Sequence, residues 1–426
     1  MSNQTYENLH SKGVSLSYDA RWLPEASIHA IETIARAASK HATEAYLVGG
    51  IVRDIVARLP RIITAPDVTI IGEAASFAQA LAVENTDCSL ISASQHHTAK
   101  VKIGPVTVDI ASARTDVYEA WGSLPRITLV NDIEADLRRR DFTVNAMAIH
   151  LTPTGLGDLI DPHDGRIDVA NKIMRVIREN SFAEDPLRML RGVRIAARYG
   201  YTFDNDTGKS IGGSLDHLSK MCVVSPQRVF NEFRLWFHPH EDLDVLTAIA
   251  AQNGILNILV PDANFRDGVF RRLSPCGTEM ERFSAFAYMA PMDVMIDLAK
   301  RLRMPSDWCA IVNETYIARG VAERCRSELV TDVELWRSLA DVRDEVIRAA
   351  ISVESSTVAS RRLVDYKTRL CKMRTALNGD DLIALGIAQG PMIGQLLDAL
   401  LKLRIDGSIA TADEERAYVM RHLSDG

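Results

Sequence analysis

The feature that most limits the fold of this chain is a change of period along it. Up to about His150, short apolar runs alternate with helical segments; from about Asp168 to the C-terminus only helical spacing persists. A pattern of this kind predicts a small α/β or α+β head followed by an all-α remainder. The 426 residues are also too many for one ordinary domain. In the head, a helix is expected over Pro24 to Lys40, with Ile28, Ile31 and Ile34 apolar. A strand follows at Ala45 to Val48 and runs through Gly49-Gly50 into a helix near Ile51. The next strand, Val68 to Ile71, leads to a helix over Ala74 to Leu81. Strands at Lys100 to Ile103 and Val106 to Ile110 are joined by Gly104-Pro105, which reads as a hairpin turn. Pro226, Pro261, Pro275, Pro305 and Gly379 break the helical half.

Composition narrows the class. Hydrophobic residues make up 47% and charged residues 25%, as in a globular protein with a large core. Charge interrupts every apolar run before it could span a bilayer, and the N-terminal residues lack an apolar signal segment. A cytoplasmic protein with no membrane partner is expected. The six cysteines are scattered, which favours isolated thiols over a zinc site or disulfide framework. The net charge of −7 confines any nucleic-acid contact to local basic patches.

Four segments carry the chemistry. In Leu47-Val48-Gly49-Gly50-Ile51-Val52-Arg53-Asp54, a strand ends in two glycines before a helix, which exposes backbone N–H groups to an anion. Arg53, one turn on, can add a charged contact. Taken alone, such a turn is more often plain strand–helix geometry than a phosphate cradle. In Ala65-Pro66-Asp67-Val68-Thr69, period two places residues 65, 67 and 69 on one strand face, where paired carboxylates would hold metal ions. Only Asp67 is acidic there. Asp109, on the strand Val106 to Ile110, could join it, or the two could be unrelated strand acids. Arg138-Arg139-Arg140-Asp141, ahead of Phe142-Thr143-Val144-Asn145, suits a phosphate clamp and a capped helix start equally. Finally, Asp185 precedes Pro186 at a helix start, and Arg188, Arg191, Arg194 and Arg198 form a basic stripe facing away from Leu187, Leu190 and Ile195. A charge run is usually a solvated face, but mutual repulsion here favours an anionic ligand.

In this order the segments resemble the class II nucleotidyltransferases: CCA-adding enzymes, their CC-adding and A-adding relatives, and bacterial poly(A) polymerases. LVGGIVRD, RRDFTVNAMA and AEDPLRMLRGVRIAARYGY carry the resemblance. VDIASARTDVYEAWGSLPRI, IDPHDGRIDVANKIMRVIRENSF, SPQRVFNEF and the late LNGDDLIALGIAQGPMIGQLLDALL extend it from about Ala45 to the C-terminus. It implies a polymerase-β-like catalytic head over residues 31–150 behind a lead-in at 1–30. A base-recognising neck at 151–245, a helical body at 246–350 and a tRNA-binding tail at 351–426 would follow. The activity implied is template-independent addition of C and/or A from CTP and ATP to tRNA 3′ ends, with Mg²⁺ and release of pyrophosphate. Gly49, Gly50 and Arg53 would hold the triphosphate, with Asp54 bracing the loop. Arg139, Arg140 and Asp141 would lie near triphosphate and ribose, with Asn145 in support. Asp185 and Arg188 would offer acceptor and donor edges to the base, assisted by Arg191 and Arg194. The choice among CCA, CC and A addition would rest on a flexible loop near Glu84 to Lys100.

The metal segment departs from the family text, which reads Asp, apolar, Asp. Either Ala65 replaces the leading acid and Asp67 is the trailing one, or Asp67 leads and Thr69 replaces the second. The first register needs no gap up to Gly72-Glu73-Ala74 and is preferred. Asp67 and Asp109 are then the expected catalytic and metal-binding acids. Loss of one carboxylate from a two-ion site is expected to cost at least ~100-fold in rate. An inactivated form, a divergent enzyme and a non-catalytic RNA-binding descendant all fit this departure, and a poly(A) polymerase is the alternative enzyme. His238, His240, Glu241 and Asp242 lack the spacing of a phosphohydrolase metal cluster.

Overall fold

The computed structural model describes residues 23–59, 65–118, 125–263, 265, 267–273, 277–327 and 329–424. Most of the N-terminal lead-in, the expected break at Pro275 and the cysteine at position 276 lie outside them. Two compact units result: Met1–Ser225 with Asn253–Ile255, and Pro226–Gln252 with Leu256–Gly426.

The first unit is built on a seven-stranded sheet. Its strands are β1 (Ala45–Val48), β2 (Asp67–Ile70), β3 (Cys88–Ser94), β4 (Thr98–Ile103), β5 (Val106–Ser112), β8 (Ala148–Thr152) and β9 (Gly155–Ile160), in the order β3-β4-β5-β2-β1-β8-β9. All neighbours pair antiparallel except β2 and β5, which run parallel. β1 is buried at all four positions, as a central strand covered on both faces must be. A separate hairpin joins β6 (Arg114–Val117) to β7 (Arg126–Leu129). Helix α1 (Glu25–Lys40) covers the sheet with Ile31 and Ile34 buried and Ile28 half-buried.

Two expectations need correcting. The segment Glu84 to Lys100 is not a flexible loop: α3 (Ala74–Glu84) runs to its start, and β3 and β4 fill the rest as a hairpin. β3 is an edge strand in which Ser92, Ala93 and Ser94 are exposed, so it carries no apolar alternation to read. The sheet also continues past residue 150, through β9 to Ile160. Its glycine-rich sequence, Gly155-Leu156-Gly157, hides a strand that closes a tight hairpin onto β8.

The rest of this unit is helical. It includes α2 (Gly50–Val56), α4 (Ile133–Arg138), α5 (Gly165–Asn171), α6 (Ser181–Glu184), α7 (Leu187–Tyr199) and α8 (Asn205–Val224). Two-residue strands β10 (Ile173–Met174) and β11 (Thr202–Phe203) pair in parallel and tie the α7 region to the head. Gly192 lets α7 pack closely, since a Cβ there would lie 2.7 Å from the ring of Phe142.

The second unit is helical from α9 (Pro226–Arg234) to α20 (Ala412–Ser424) among its described residues. Its larger core is aromatic: Phe233, Phe237, Phe283, Phe286 and Trp308 make edge and tilted ring contacts. A separate core near the C-terminus joins Leu377, Leu382, Leu396, Leu400 and Val419. Among the described residues no helix is long and apolar enough to cross a membrane. The described cysteines at 88, 222, 309, 325 and 371 form no disulfide among the described residues.

Candidate active site in the head

The two acids singled out from the sequence meet. The parallel register of β2 and β5 sets Asp67 beside Asp109, so both lie on one face. Burial and the Asp109 carboxylate push the Asp67 carboxyl up to about 6, while Arg140 and Lys100 pull it back. Lys100, opposite Asp109 across the β4–β5 pair, donates to both of its oxygens at 2.7 and 2.8 Å. Sequence reading did not single out Lys100.

Position 65 is exposed and lies two residues before the first residue of β2, and Pro66 O accepts the Asp109 N–H at 3.3 Å, which extends the ladder toward it. Thr69 is 1% exposed and its hydroxyl accepts from Arg140 Nη2 at 3.4 Å.

The arginines are delivered by α4. Ile133 and Leu137, four residues apart, pack against Tyr46 and Val48 of β1. That docking carries Arg139 and Arg140, at the helix end, to the Gly49 turn. Asp136, fully buried, accepts from Arg139 Nε and Nη2 (2.9 and 2.8 Å), Arg140 Nη2 (3.0 Å) and Arg114 N (3.3 Å). Burial opposes its charge, yet Arg140 and Arg139 hold its carboxyl below the ordinary range. Arg139 also reaches Asp116 at 3.1 Å. Asp136 and Asp116 were not read as site residues. The spacing of Asp136 three and four residues before two arginines was the available signal.

Gly49 has φ +75°, and a Cβ there would lie 3.3 Å from Arg140 Nη1 and 3.7 Å from Asp67 Oδ2. The bare Cα therefore leaves a cradle between a guanidinium and a carboxylate. Arg140 Nε is buried without a hydrogen-bond partner, as a group awaiting an anion would be. We expect Gly49→Ala to weaken binding of a phosphate-bearing ligand in this cradle at least about tenfold, through backbone strain and displacement of Arg140. Equilibrium nucleotide titration reads this directly.

Arg53 is 4% exposed and does not stand free. It donates to Asp54 Oδ1 from Nε (3.0 Å) and Nη2 (2.8 Å), to Asn145 Oδ1 (2.8 Å) and to the Tyr199 hydroxyl (2.6 Å). Its guanidinium lies 3.9 Å over the Tyr199 ring. Arg53 is therefore tied to Asp54, Asn145 and Tyr199 just after the glycine turn, where the resemblance implies a phosphate contact for Arg53 and a bracing role for Asp54. Tyr199, 146 residues downstream, had no local signal. Tyr199→Phe should cost roughly 1–2 kcal/mol of stability by removing the hydroxyl's bonds to Arg53 and Asp54, read as a lower thermal midpoint.

Asp141 is buried beside these residues. It accepts from Phe142 N (2.8 Å), Asn145 Nδ2 (3.3 Å) and Arg191 Nη1 (3.3 Å). Burial disfavours its charge, but Arg191 and Arg188 keep its carboxyl below the usual range. Asn145 thus touches both Arg53 and Asp141 and links the first and third segments. On α7, Arg191 and Arg194 are half-buried and Arg198 is exposed, but Arg188 is buried. Arg188 donates to Ser181 Oγ (2.7 Å) and to the carbonyl of Arg139 (3.0 Å), so it is not part of a solvated stripe. Half-buried Asp185, just ahead of α7, accepts from Leu187 N at 3.4 Å.

Among the described residues no three His, Cys, Asp and Glu side chains converge as a metal site. Asp67 and Asp109 are a pair, and hard carboxylate oxygens of that number suit a divalent cation that also takes substrate phosphates.

Residues 45–175 match the family described as the Poly A polymerase head domain. An A-adding tRNA nucleotidyltransferase from Halalkalibacterium halodurans is 34% identical over 241 residues, covering 56% of this chain and 55% of its own. One from Geobacter sulfurreducens is 26% identical over 424 residues, covering 94% and 48% respectively. This chain spans about half the length of these two relatives. A CCA-adding enzyme from Streptococcus uberis is 28% identical over 402 residues, covering 90% of this chain and 94% of its own. A solved CCA-adding enzyme in complex with CTP shares the fold at TM-score 0.76 and 22% identity, over 95% of this chain and 97% of that one.

Fold and site define a nucleotidyltransferase-type head followed by helices. Within that class, residues 45–175 match the Poly A polymerase head domain, and the chain as a whole is similar to A-adding and CCA-adding tRNA nucleotidyltransferases.

Proposed function

We propose that this protein adds C and/or A nucleotides to the 3′ end of tRNA, using CTP and ATP and releasing pyrophosphate without a nucleic-acid template. The observation that carries this reading is the Asp67–Asp109 pair set beside Gly49 and Arg140 within a matched head. The names of the relatives support tRNA as acceptor.

In the proposed reaction the 3′-oxygen attacks the α-phosphorus and the bond to pyrophosphate breaks. Arg140, with its buried and unpartnered Nε, faces the phosphates beside Gly49-Gly50. Arg139 is held by Asp136 and Asp116 and stiffens that wall. Asp141, kept charged by Arg191 and Arg188 and bonded to Asn145, would test the ribose hydroxyl. Asp185 and Arg188 remain the proposed base-reading edge. Arg188 would have to turn from Ser181 and the Arg139 carbonyl to meet a base, which couples base reading to the arginine wall. Asp67 and Asp109 would hold Mg²⁺, which when bound supplies neutralisation of developing phosphate charge.

The test is incubation of the purified protein with tRNA lacking its CCA end and labelled CTP and ATP, with products sized on a gel. One to three added nucleotides support the reading, and long adenylate tails point to the poly(A) alternative. The exposed alanine at position 65 favours one second reading, a catalytically silent tRNA-binding protein. That reading predicts tRNA binding but no incorporation by either the unaltered chain or Ala65→Asp.

A further inference from the structure

We propose that the Lys100 ammonium stands in for one of the two cations of a nucleotidyl-transfer site, so that this head takes up a divalent ion only together with a nucleoside triphosphate. The inference rests on the transferase reading above and adds a residue and a binding order to it. Two carboxylates share one face of the sheet, and two protein cations already face them: Lys100 on both oxygens of Asp109, and Arg140 beside Asp67. The side chains therefore balance to about zero net charge. A bare divalent ion entering next to Asp109 would meet the ammonium at close range, where like charges repel even in water. A triphosphate reverses the sign, because it brings several negative charges and its own oxygen ligands.

The β4–β5 register makes this arrangement a built feature. Lys100 and Asp109 are cross-strand partners equidistant from the Gly104-Pro105 turn, so the ammonium sits over the acid wherever the hairpin forms. The vacancy in the acid set at position 65 completes the picture. A carboxylate there would tip the balance by one negative charge and restore a place for a free ion.

Mn²⁺ binding to the full chain, followed by paramagnetic resonance with and without a non-hydrolysable CTP or ATP analogue, tests this without turnover. The unaltered protein should leave sub-millimolar Mn²⁺ free until analogue is added and then bind one ion per chain. Lys100→Met and Ala65→Asp should each bind Mn²⁺ without nucleotide, on the order of tenfold tighter than the unaltered chain. Lys100→Arg, which keeps the charge, should behave as the unaltered protein does. Tight nucleotide-free Mn²⁺ binding by the unaltered chain overturns the proposal, as does Mn²⁺ binding that Lys100→Met leaves unchanged. If nucleotide binds normally in those cases, the transferase reading survives. If no form binds nucleotide, with or without metal, the transferase reading falls and this inference falls with it.

Discussion

If the proposed transfer reaction holds, an acid placed at position 65 is expected to raise nucleotide incorporation about 100-fold or more. Removing one pre-organised contact that stabilises developing charge costs about 10²–10³ in rate, and a carboxylate would supply such a contact through the metal ion that it holds. Position 65 is the better site for the change than position 69. Residue 65 is exposed at the entry to β2 and keeps the strand parity of Asp67. Thr69 is 1% exposed and tucked against Arg140, so an acid there would be buried between Tyr46 and Ala111, its neighbours on the flanking strands. Thr69→Asp is accordingly expected to lower the thermal midpoint without raising incorporation, as burial of an additional charge does. Single-turnover incorporation of labelled CTP and ATP into tRNA lacking CCA distinguishes the two variants. Equal rates for Ala65→Asp and the unaltered chain would rule out the missing acid as the limiting part.

Asp136→Ala should be the most destabilising single change in the head outside the apolar core. It removes the carboxylate that Arg139 and Arg140 share and leaves the Arg114 N–H without that acceptor. Breaking a buried ion pair from one side costs about 3–5 kcal/mol. The low end applies here because both guanidiniums remain 17% exposed and can recruit water. About 3 kcal/mol corresponds to a loss of roughly 6–12 °C for a unit of this size. Nucleotide affinity should fall with it, since Arg140 loses the contact that aims it past Gly49. A thermal melt and a nucleotide titration on the same sample check both. An Asp136→Asn variant that keeps both values near those of the unaltered protein would show that shape, rather than charge, holds the arginines.

Much of this head was legible in the sequence because its signals are local. Strand β1 and the glycine turn announce themselves as an apolar run ending in Gly49-Gly50. The Gly104-Pro105 turn gives the β4–β5 hairpin outright. The same turn contained more than was read from it: in a two-residue hairpin, residues equidistant from the turn face each other, so Lys100 opposite Asp109 was deducible. The pairing of Asp67 with Asp109 was open as a possibility but not decidable, since parallel neighbours carry no turn that sets their register. Edge strand β3 was missed because exposed serines replace the apolar alternation that marks a half-buried strand. Tyr199 was invisible for a different reason. Its contact with Arg53 spans 146 residues, and nothing near either residue indicates the other. The buried state of Arg188 was likewise hidden: helical spacing shows which residues share a face, not which face meets the sheet.

The parallel pairing of β2 with β5 also bears on how the site comes into being. Asp67 and Asp109 are separated in the chain by α3, β3 and β4, so neither local hairpin brings them together. Closing that intervening loop is an entropic cost that must be met before the non-local pairing rewards it. The acid pair is therefore a late product of folding, absent from any intermediate that holds only the β4–β5 hairpin or the β1–β2 pair. Amide exchange at Asp109, whose N–H is donated to Pro66 O, would time its arrival, and we expect protection there to develop after protection at Val101 and Val108 within the β4–β5 hairpin.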